Sequence, residues 1–205
     1  MHPRSGKKVR LSSSHKLFGN ERETVDEAYP GDIIGLVGHD GFGIGDTLTT
    51  DASISYKEIP RFTPESFAYL HNPNTAKFKQ FRQGLDQLLQ EGVIQQYSRP
   101  QDMQRIPLLG AVGPLQFEVV QARLQSEYNA DARLEPAPYR FVRWLRHKAD
   151  GAWHWDEVNL PSGTTLANDE QDRPVLLLED AWAERFFTNR NPDFEILEEP
   201  PELTA

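Results

Sequence analysis

The chain has 205 residues, 38% of them hydrophobic, with 22 Lys and Arg against 31 Asp and Glu and no cysteine. That length suits one large or two small packed domains, and the composition excludes disulfides, thiolate metal sites and a cysteine nucleophile. No apolar run approaches the ~20 residues of a membrane span, and the polar, basic first residues lack a signal-peptide core, so a soluble, cytoplasmic protein is expected. The charge is unevenly spread. Residues 1–60 are nearly balanced, 61–149 carry 12 Lys and Arg against 8 Asp and Glu, and 150–205 carry 3 against 14. Such a division suits a middle that faces phosphate and a tail that stays clear of it.

Residues 1–56 read as strands joined by turns. Lys7–Leu11 is short and mixed, and Ile33–Val37 is an apolar strand between the turn signals Pro30-Gly31 and Gly38. Gly38–Gly45 is glycine-dense, but it lacks the Gly-x-Gly-x-x-Gly spacing of a dinucleotide loop, and a β-turn or bulge is the expected use. Two Gly-Asp pairs, Gly31-Asp32 and Gly45-Asp46, turn the chain into strands. Each Asp can accept from nearby backbone N–H groups, which makes both carboxylates structural.

Ile59-Pro60 and Thr63-Pro64 mark extended chain, and Phe67–Leu70 supplies a strand. Asn74 or Thr75 can cap the helix that follows, in which Phe78, Phe81, Leu85, Leu88 and Leu89 repeat at three and four until Gly92. Val93–Tyr97 is a strand, and Arg99–Arg105 a polar connection. Ile106–Val112 is a third strand, broken by Gly113-Pro114, where proline opens a helix. In that helix Leu115, Val119 and Ala122 form one apolar row, and Phe117, Val120, Leu124 and Tyr128 another. Two rows make a wide stripe packed on a sheet, with Asn129 as the stop. Gly110 and Gly113 form a tight turn; the Gly-Lys-Ser/Thr ending of a phosphate loop is missing. Strands follow at Ala132–Glu135 and Arg140–Leu145. Residues 61–149 therefore run β-α-β-β-α-β, with two helices over one face of an antiparallel sheet, the ferredoxin-like arrangement.

Residues 149–174 are weakly patterned: Trp153 and Trp155 are core anchors, and Ser162–Asp172 is a loop with at most a short helix. Val175–Leu178 is a buried strand, Asp180 caps a short helix carrying Trp182, Phe186 and Phe187, Asn191-Pro192 stops it, and Phe194–Leu197 is the last strand.

Several of these stretches resemble ribosome-bound translation GTPases. Asp26-Glu-Ala-Tyr-Pro-Gly-Asp-Ile33 followed by Gly45-Asp-Thr-Leu48 is similar to the second-domain β-barrel of that family. The strand–Gly–helix unit at 106–129, ending in Ser-Glu-Tyr-Asn, is similar to its third domain. Pro114-Leu-Gln-Phe-Glu-Val-Val120 resembles the release factor 3 branch more than the elongation factor G branch, as do Arg173-Pro-Val-Leu and the aromatic helix before Pro192-Asp-Phe. The resemblance implies an α+β chain, with an incomplete translation-factor barrel over 1–56 and a ferredoxin-like third domain over 57–205. The core of that domain would occupy 61–149 and a β/α extension 150–205.

By the same resemblance the chain is a ribosome-docking, non-catalytic carboxyl-terminal portion of a GTPase that promotes recycling of class-I release factors at translation termination. The GTPase domain, with its GTP or GDP and magnesium, is expected to be absent, so no cofactor is assigned to this chain. The implied partners are small-subunit ribosomal RNA and protein, the class-I release factors indirectly, and the parent's own GTPase domain; no membrane is implied. Two alternatives are a fragment of another translation GTPase (elongation factor G-like, or a ribosomal protection protein) and a free-standing ferredoxin-like hydrolase of acylphosphatase type. The second lacks an arginine in the loop at 71–77 and leaves the barrel motifs unexplained.

No sequence signature of an active site survives inspection. The six histidines are scattered, and neither a Gly-x-Ser-x-Gly elbow nor a Walker A loop occurs. No catalytic or metal residue is therefore expected. The candidate ribosome contacts, chosen from charge and position rather than from a family motif, are Lys77, Lys79, Arg82, Arg140, Arg143, Arg146 and Lys148.

Overall fold

The computed structural model describes residues 2–8, 14–18, 21–24, 27–36, 42–51, 53–54, 56, 62–99, 106–149 and 153–201. The chain divides into two units, Met1–Pro60 and Arg61–Ala205. The first half of the glycine-dense loop at 38–45, most of the Arg99–Arg105 connection and the end of the Lys7–Leu11 segment lie outside the described residues.

The first unit contains a three-stranded antiparallel sheet. Strands β1 (Ser14–Phe18), β2 (Glu21–Thr24) and β3 (Ile34–Leu36) lie in the order β2-β1-β3. Both Gly-Asp carboxylates serve the turns, as their sequence context predicts: Asp32 accepts from the Tyr29 N–H at 3.0 Å and Asp46 from the Gly43 N–H at 2.6 Å. Asp46 also faces buried His2, its Oδ2 3.0 Å from Nε2, and the Nδ1 of that ring lies 2.8 Å from the Ser5 hydroxyl. No sequence signal pointed to the histidine.

In the second unit, strand β4 (Ser66–His71) leads through a short 3-10 turn to helix α1 (Phe78–Gln90), then β5 (Gln95–Tyr97) and β6 (Leu108–Ala111). Helix α2 (Pro114–Tyr128) and strand β7 (Arg133–Pro136) follow. The four strands form one antiparallel sheet in the order β5-β6-β4-β7. Alternation along the strands sorts its two faces. Ala68, Leu70, Leu109 and Ala111 turn toward α1 and α2, where they meet Phe81, Leu85, Leu88, Phe117, Val120 and Leu124 in one core. Each large apolar side chain buried there contributes about 1.5–3 kcal/mol of transfer free energy. The helices approach closely because Gly84 has no side chain: a Cβ there would stand 2.7 Å from Leu124 Cδ2 and 2.8 Å from the Tyr128 ring.

The helix ends follow the local sequence. Asn74 accepts from the Ala76 N–H at 3.1 Å and caps the 3-10 turn, so α1 begins at Phe78 rather than at the cap. At the start of α2 the Gln116 side chain reaches back to the Val112 and Gly113 N–H groups, at 2.7 and 3.4 Å. Asn129 ends α2 in the left-handed conformation, φ 50°, which asparagine tolerates better than most residues. The wide stripe expected on α2 is corrected: only the row of Phe117, Val120 and Leu124 is buried, while Leu115 is 70% and Val119 47% exposed.

Strand β8 (Phe141–His147) leaves this sheet, so the sheet expected within 61–149 ends at Pro136. With β9 (Thr164–Asn168), β10 (Pro174–Leu178) and β11 (Phe194–Leu197) it builds a second antiparallel sheet, order β11-β8-β10-β9. Strand β9 falls within the stretch read as a loop. The two sheets pack face to face through Phe67, Tyr97 and Leu108 on one side and Val142, Trp144, Ala167, Val175 and Leu177 on the other. A backbone bridge between Ser98 and Asn168, with N–H···O distances of 2.9 and 2.8 Å, joins their edges. Helix α3 (Ala181–Arg190), capped by Asp180 as expected, covers the outer face of the second sheet. Its Ala183 and Phe187 join Leu145, Leu166, Leu176 and Leu178 there, with Trp153 and Trp155 at the margin. The unit is thus four-layered: helices, sheet, sheet, helix.

Candidate nucleic-acid interface

The seven candidate cations fall on two layers of the second unit. Lys77, Lys79 and Arg82 belong to the start of α1; Arg140, Arg143, Arg146 and Lys148 belong to β8 and its flanks. Two packed cores and the first sheet separate these layers. The sequence grouped the residues by charge, but the topology does not make them one patch.

Lys77 is a clip. Its ammonium donates to Asn129 Oδ1 at 3.0 Å and lies 3.9 Å from the Asp131 carboxylate, tying the entry of α1 to the exit of α2. Lys79 and Arg82 are three apart and therefore neighbours on one helix face, and both are exposed. Arg82 has only a long 4.0 Å contact with Asp86, both side chains largely in solvent, a pair of little energetic consequence.

On β8 the side-chain alternation splits the arginines. Arg143 points with Leu145 toward α3, where it stands 3.4 Å from Glu184 and 5.5 Å from the Phe141 ring centre. Its side chain is 15% exposed, which leaves little of it for an external phosphate. Arg146 is engaged by the Glu195 carboxylate across the β8–β11 ladder. Lys148 donates to the Pro192 carbonyl at 2.6 Å. Arg140 is exposed, and its backbone N–H bonds to the Leu178 carbonyl at 2.8 Å. Among the seven, Lys79, Arg82 and Arg140 thus remain the side chains least committed to internal contacts.

Other charged networks hold the frame. Arg123 on α2 binds Glu91 at the end of α1 and, at 2.7 Å, Glu127 one turn on. Its hydrogen bonds hold the Glu91 and Glu127 carboxyls below their ordinary range. The Arg123–Glu127 spacing is visible in the sequence, whereas the reach to Glu91 depends on the fold. Asp169, in the β9–β10 turn, accepts from Trp144 Nε1 at 2.8 Å, from the Gln171 and Arg173 N–H groups at 2.9 and 3.0 Å, and from Arg173 Nε at 2.8 Å. Burial raises its carboxyl pKa, but these donors outweigh that and bring it below the ordinary value. Asn191 is buried and joins the Asn159 backbone to the end of α3. A shallow hollow lined by Gln95, Gln96, Trp144, Asp169 and Arg173 offers about 30 Å³, space for one or two waters. Among the described residues no group of His, Cys, Asp and Glu could hold a metal, and no helix is long and apolar enough to cross a membrane.

Comparison with known proteins supplies the context for this frame. Residues 56–188 match the family described as Class II release factor RF3, C-terminal domain, and residues 1–51 match Elongation factor G domain 2. The chain belongs to the class II release factor family. Its similarity to peptide chain release factor 3 of Trichormus variabilis is 45% identity over 95% of this chain and 36% of that protein. For peptide chain release factor 3 of Gloeobacter violaceus the identity is 43% over 98% of this chain and 37% of the relative, and for that of Rippkaea orientalis 47% over 88% and 33%. The chain therefore spans about a third of the length of these release factor relatives. Within the family match lie the first sheet, strands β8 to β10 of the second, helices α1 and α2, most of α3 and all seven candidate cations.

Proposed function

We propose that this chain is the ribosome-docking, non-catalytic portion of a translation-termination GTPase that promotes recycling of class-I release factors. The observation that carries the reading is the release factor match across 56–188, which takes in nearly the whole four-layered unit. The β-α-β-β-α-β order of residues 66–136, with both helices on one face, supports a ferredoxin-like core. The elongation factor G match over 1–51 supports a translation-factor barrel remnant in the first unit, and the division near residue 60 supports domains at about 1–56 and 57–205. Nucleotide chemistry, with GTP or GDP and magnesium, belongs on this reading to the part of the relatives that this chain does not match.

The physical task of the portion present is to hold a rigid surface against the small subunit. Four packed layers suit it, because close-packed interiors transmit load with little deformation. The proposed contacts are Lys77, Lys79, Arg82, Arg140, Arg143, Arg146 and Lys148. Lys79, Arg82 and Arg140 lead, since the others are engaged by internal acceptors. The proposed setting is the cytoplasm, with small-subunit RNA and protein as direct partners and class-I release factors as indirect ones. Co-sedimentation of the purified chain with small ribosomal subunits tests this: binding that falls steeply with salt supports it, and salt-independent pelleting overturns it.

A further inference from the structure

Helix α1, which carries Lys79 and Arg82, is tied to α2 at both ends. At its entry the Lys77 ammonium donates to Asn129 at the exit of α2. At its own exit Glu91 accepts twice from Arg123 of α2: Nη1 donates to Oε2, and Nη2 lies 3.3 Å from Oε1. Two parallel bonds from a planar guanidinium fix direction as well as distance. The remaining Arg123 donors stay on α2, with Nε 2.7 Å and Nη2 2.9 Å from the Glu127 carboxylate. From Lys77 to Glu91 the helical rise puts the two ties about 20 Å apart. Between them the helices meet at Gly84, whose missing side chain leaves no knob against Leu124 and Tyr128 to resist a slide or a rotation.

The Arg123 side chain is 28% exposed, and those of Glu91 and Glu127 are 36% and 43% exposed. Ion pairs so open to water add little to folding stability. What the tie sets is the orientation of α1. Lys79 and Arg82 stand exposed between the two ties and move with the helix. A helix free to shift must be ordered when its cations meet fixed phosphates, and that ordering weakens affinity; a helix already held is spared the loss. The Arg123 guanidinium, committed to four internal bonds, acts through α1 rather than on phosphate.

We infer that Arg123 is a positioning residue for ribosome docking: by binding Glu91 it holds α1 in the orientation that presents Lys79 and Arg82. The inference rests on the docking reading given above.

The test compares Glu91→Ala with Glu127→Ala in the full chain. Both remove one negative charge beside Arg123, but only the first cuts the bond between the helices. Binding to small ribosomal subunits is measured across salt. Glu91→Ala should weaken it about three- to tenfold at the parent's salt slope, because the same phosphates are met. Glu127→Ala should bind at least as tightly as the parent. The chain has no cysteine, so spin labels on Gln83→Cys and Ser126→Cys, both exposed positions, read the distance between α1 and α2 without background. Their distance distribution should broaden in Glu91→Ala and keep the parent's width in Glu127→Ala. Equal binding by the two variants, or an unbroadened distribution in Glu91→Ala, would overturn the inference. So would a salt slope flattened by about one in Arg123→Ala, the mark of a direct phosphate contact. Absence of salt-dependent binding in the parent overturns the docking reading and this inference with it, whereas a parent that binds beside an unaffected Glu91→Ala overturns the inference alone.

Discussion

Gly110 is tightly packed on the inner face of the first sheet, and adding a single methyl group there gives a measurable test of that packing. Gly110 faces the inter-sheet core from β6, where a Cβ would stand 2.7 Å from Tyr97 Cε2 and 3.0 Å from Pro64 Cβ and Cγ. The proline ring is rigid, and the Tyr97 ring, 2% exposed, is confined by Phe67 at 5.9 Å between centroids. Overpacking of this kind costs about 1–3 kcal/mol. Replacing glycine in a strand returns roughly 0.5–1 kcal/mol of chain entropy. Gly110→Ala should therefore destabilise the second unit by about 1–2 kcal/mol, lowering its midpoint by roughly 2–8 °C. All four tryptophans lie at or beyond residue 144, so their fluorescence in urea reports this unit alone, and the slope of the transition should stay unchanged. In a Tyr97→Leu background the cost should shrink, giving a coupling of the two changes. Equal or higher stability of Gly110→Ala, or additivity with Tyr97→Leu, would refute the packing described.

Asp169 gives a pH-dependent test. Its folded pKa lies below the ordinary 3.8, so its contribution is complete above that value and disappears as pH falls through the folded pKa. Asp169→Ala, which strands Trp144 Nε1 and Arg173, should cost about 2–4 kcal/mol at neutral pH; urea titrations should show the gap to the parent closing below about pH 4, and a gap constant with pH would refute this. Deleting residues 1–60 should leave the second unit folded with little change in midpoint, since it holds its own three cores; loss of its cooperative transition in calorimetry would show otherwise. Titration of the intact chain with magnesium and GTP should give no binding heat, and micromolar affinity would count against the non-catalytic reading.

The local features were legible where one residue decides one event. Asn129 stops α2, Asp180 caps α3, and the apolar repeat from Phe81 to Leu88 marks α1, because caps and helical periods act over a few residues. The two Gly-Asp turns were readable for the same reason. What depends on distant partners was not. Strand β9 is short, and its Thr164-Thr-Leu-Ala-Asn168 pattern acquires meaning only when it pairs with β10. Strand β8 reads as one more strand of the first sheet until its neighbours β10 and β11 are known. Leu115 and Val119 have the spacing of a buried row, yet the helix fills its contact with the sheet using the adjacent row alone. The same limit governs the candidate interface. Arg140, Arg143 and Arg146 share a basic stretch, but the period of two sends Arg143 to the α3 side, and Glu184 and Glu195 arrive from elements more than 40 residues later.

The most direct test is the affinity of the chain for small ribosomal subunits as a function of salt, measured for the parent and for the triple reversal of Lys79, Arg82 and Arg140 to glutamate. If those three meet phosphates, the logarithm of the binding constant should fall with the logarithm of salt at a slope of about −2 to −3. The triple reversal should weaken binding and flatten that slope. A parent slope near zero, or a triple variant that binds with the parent's affinity and slope, would contradict ribosome docking through these three residues.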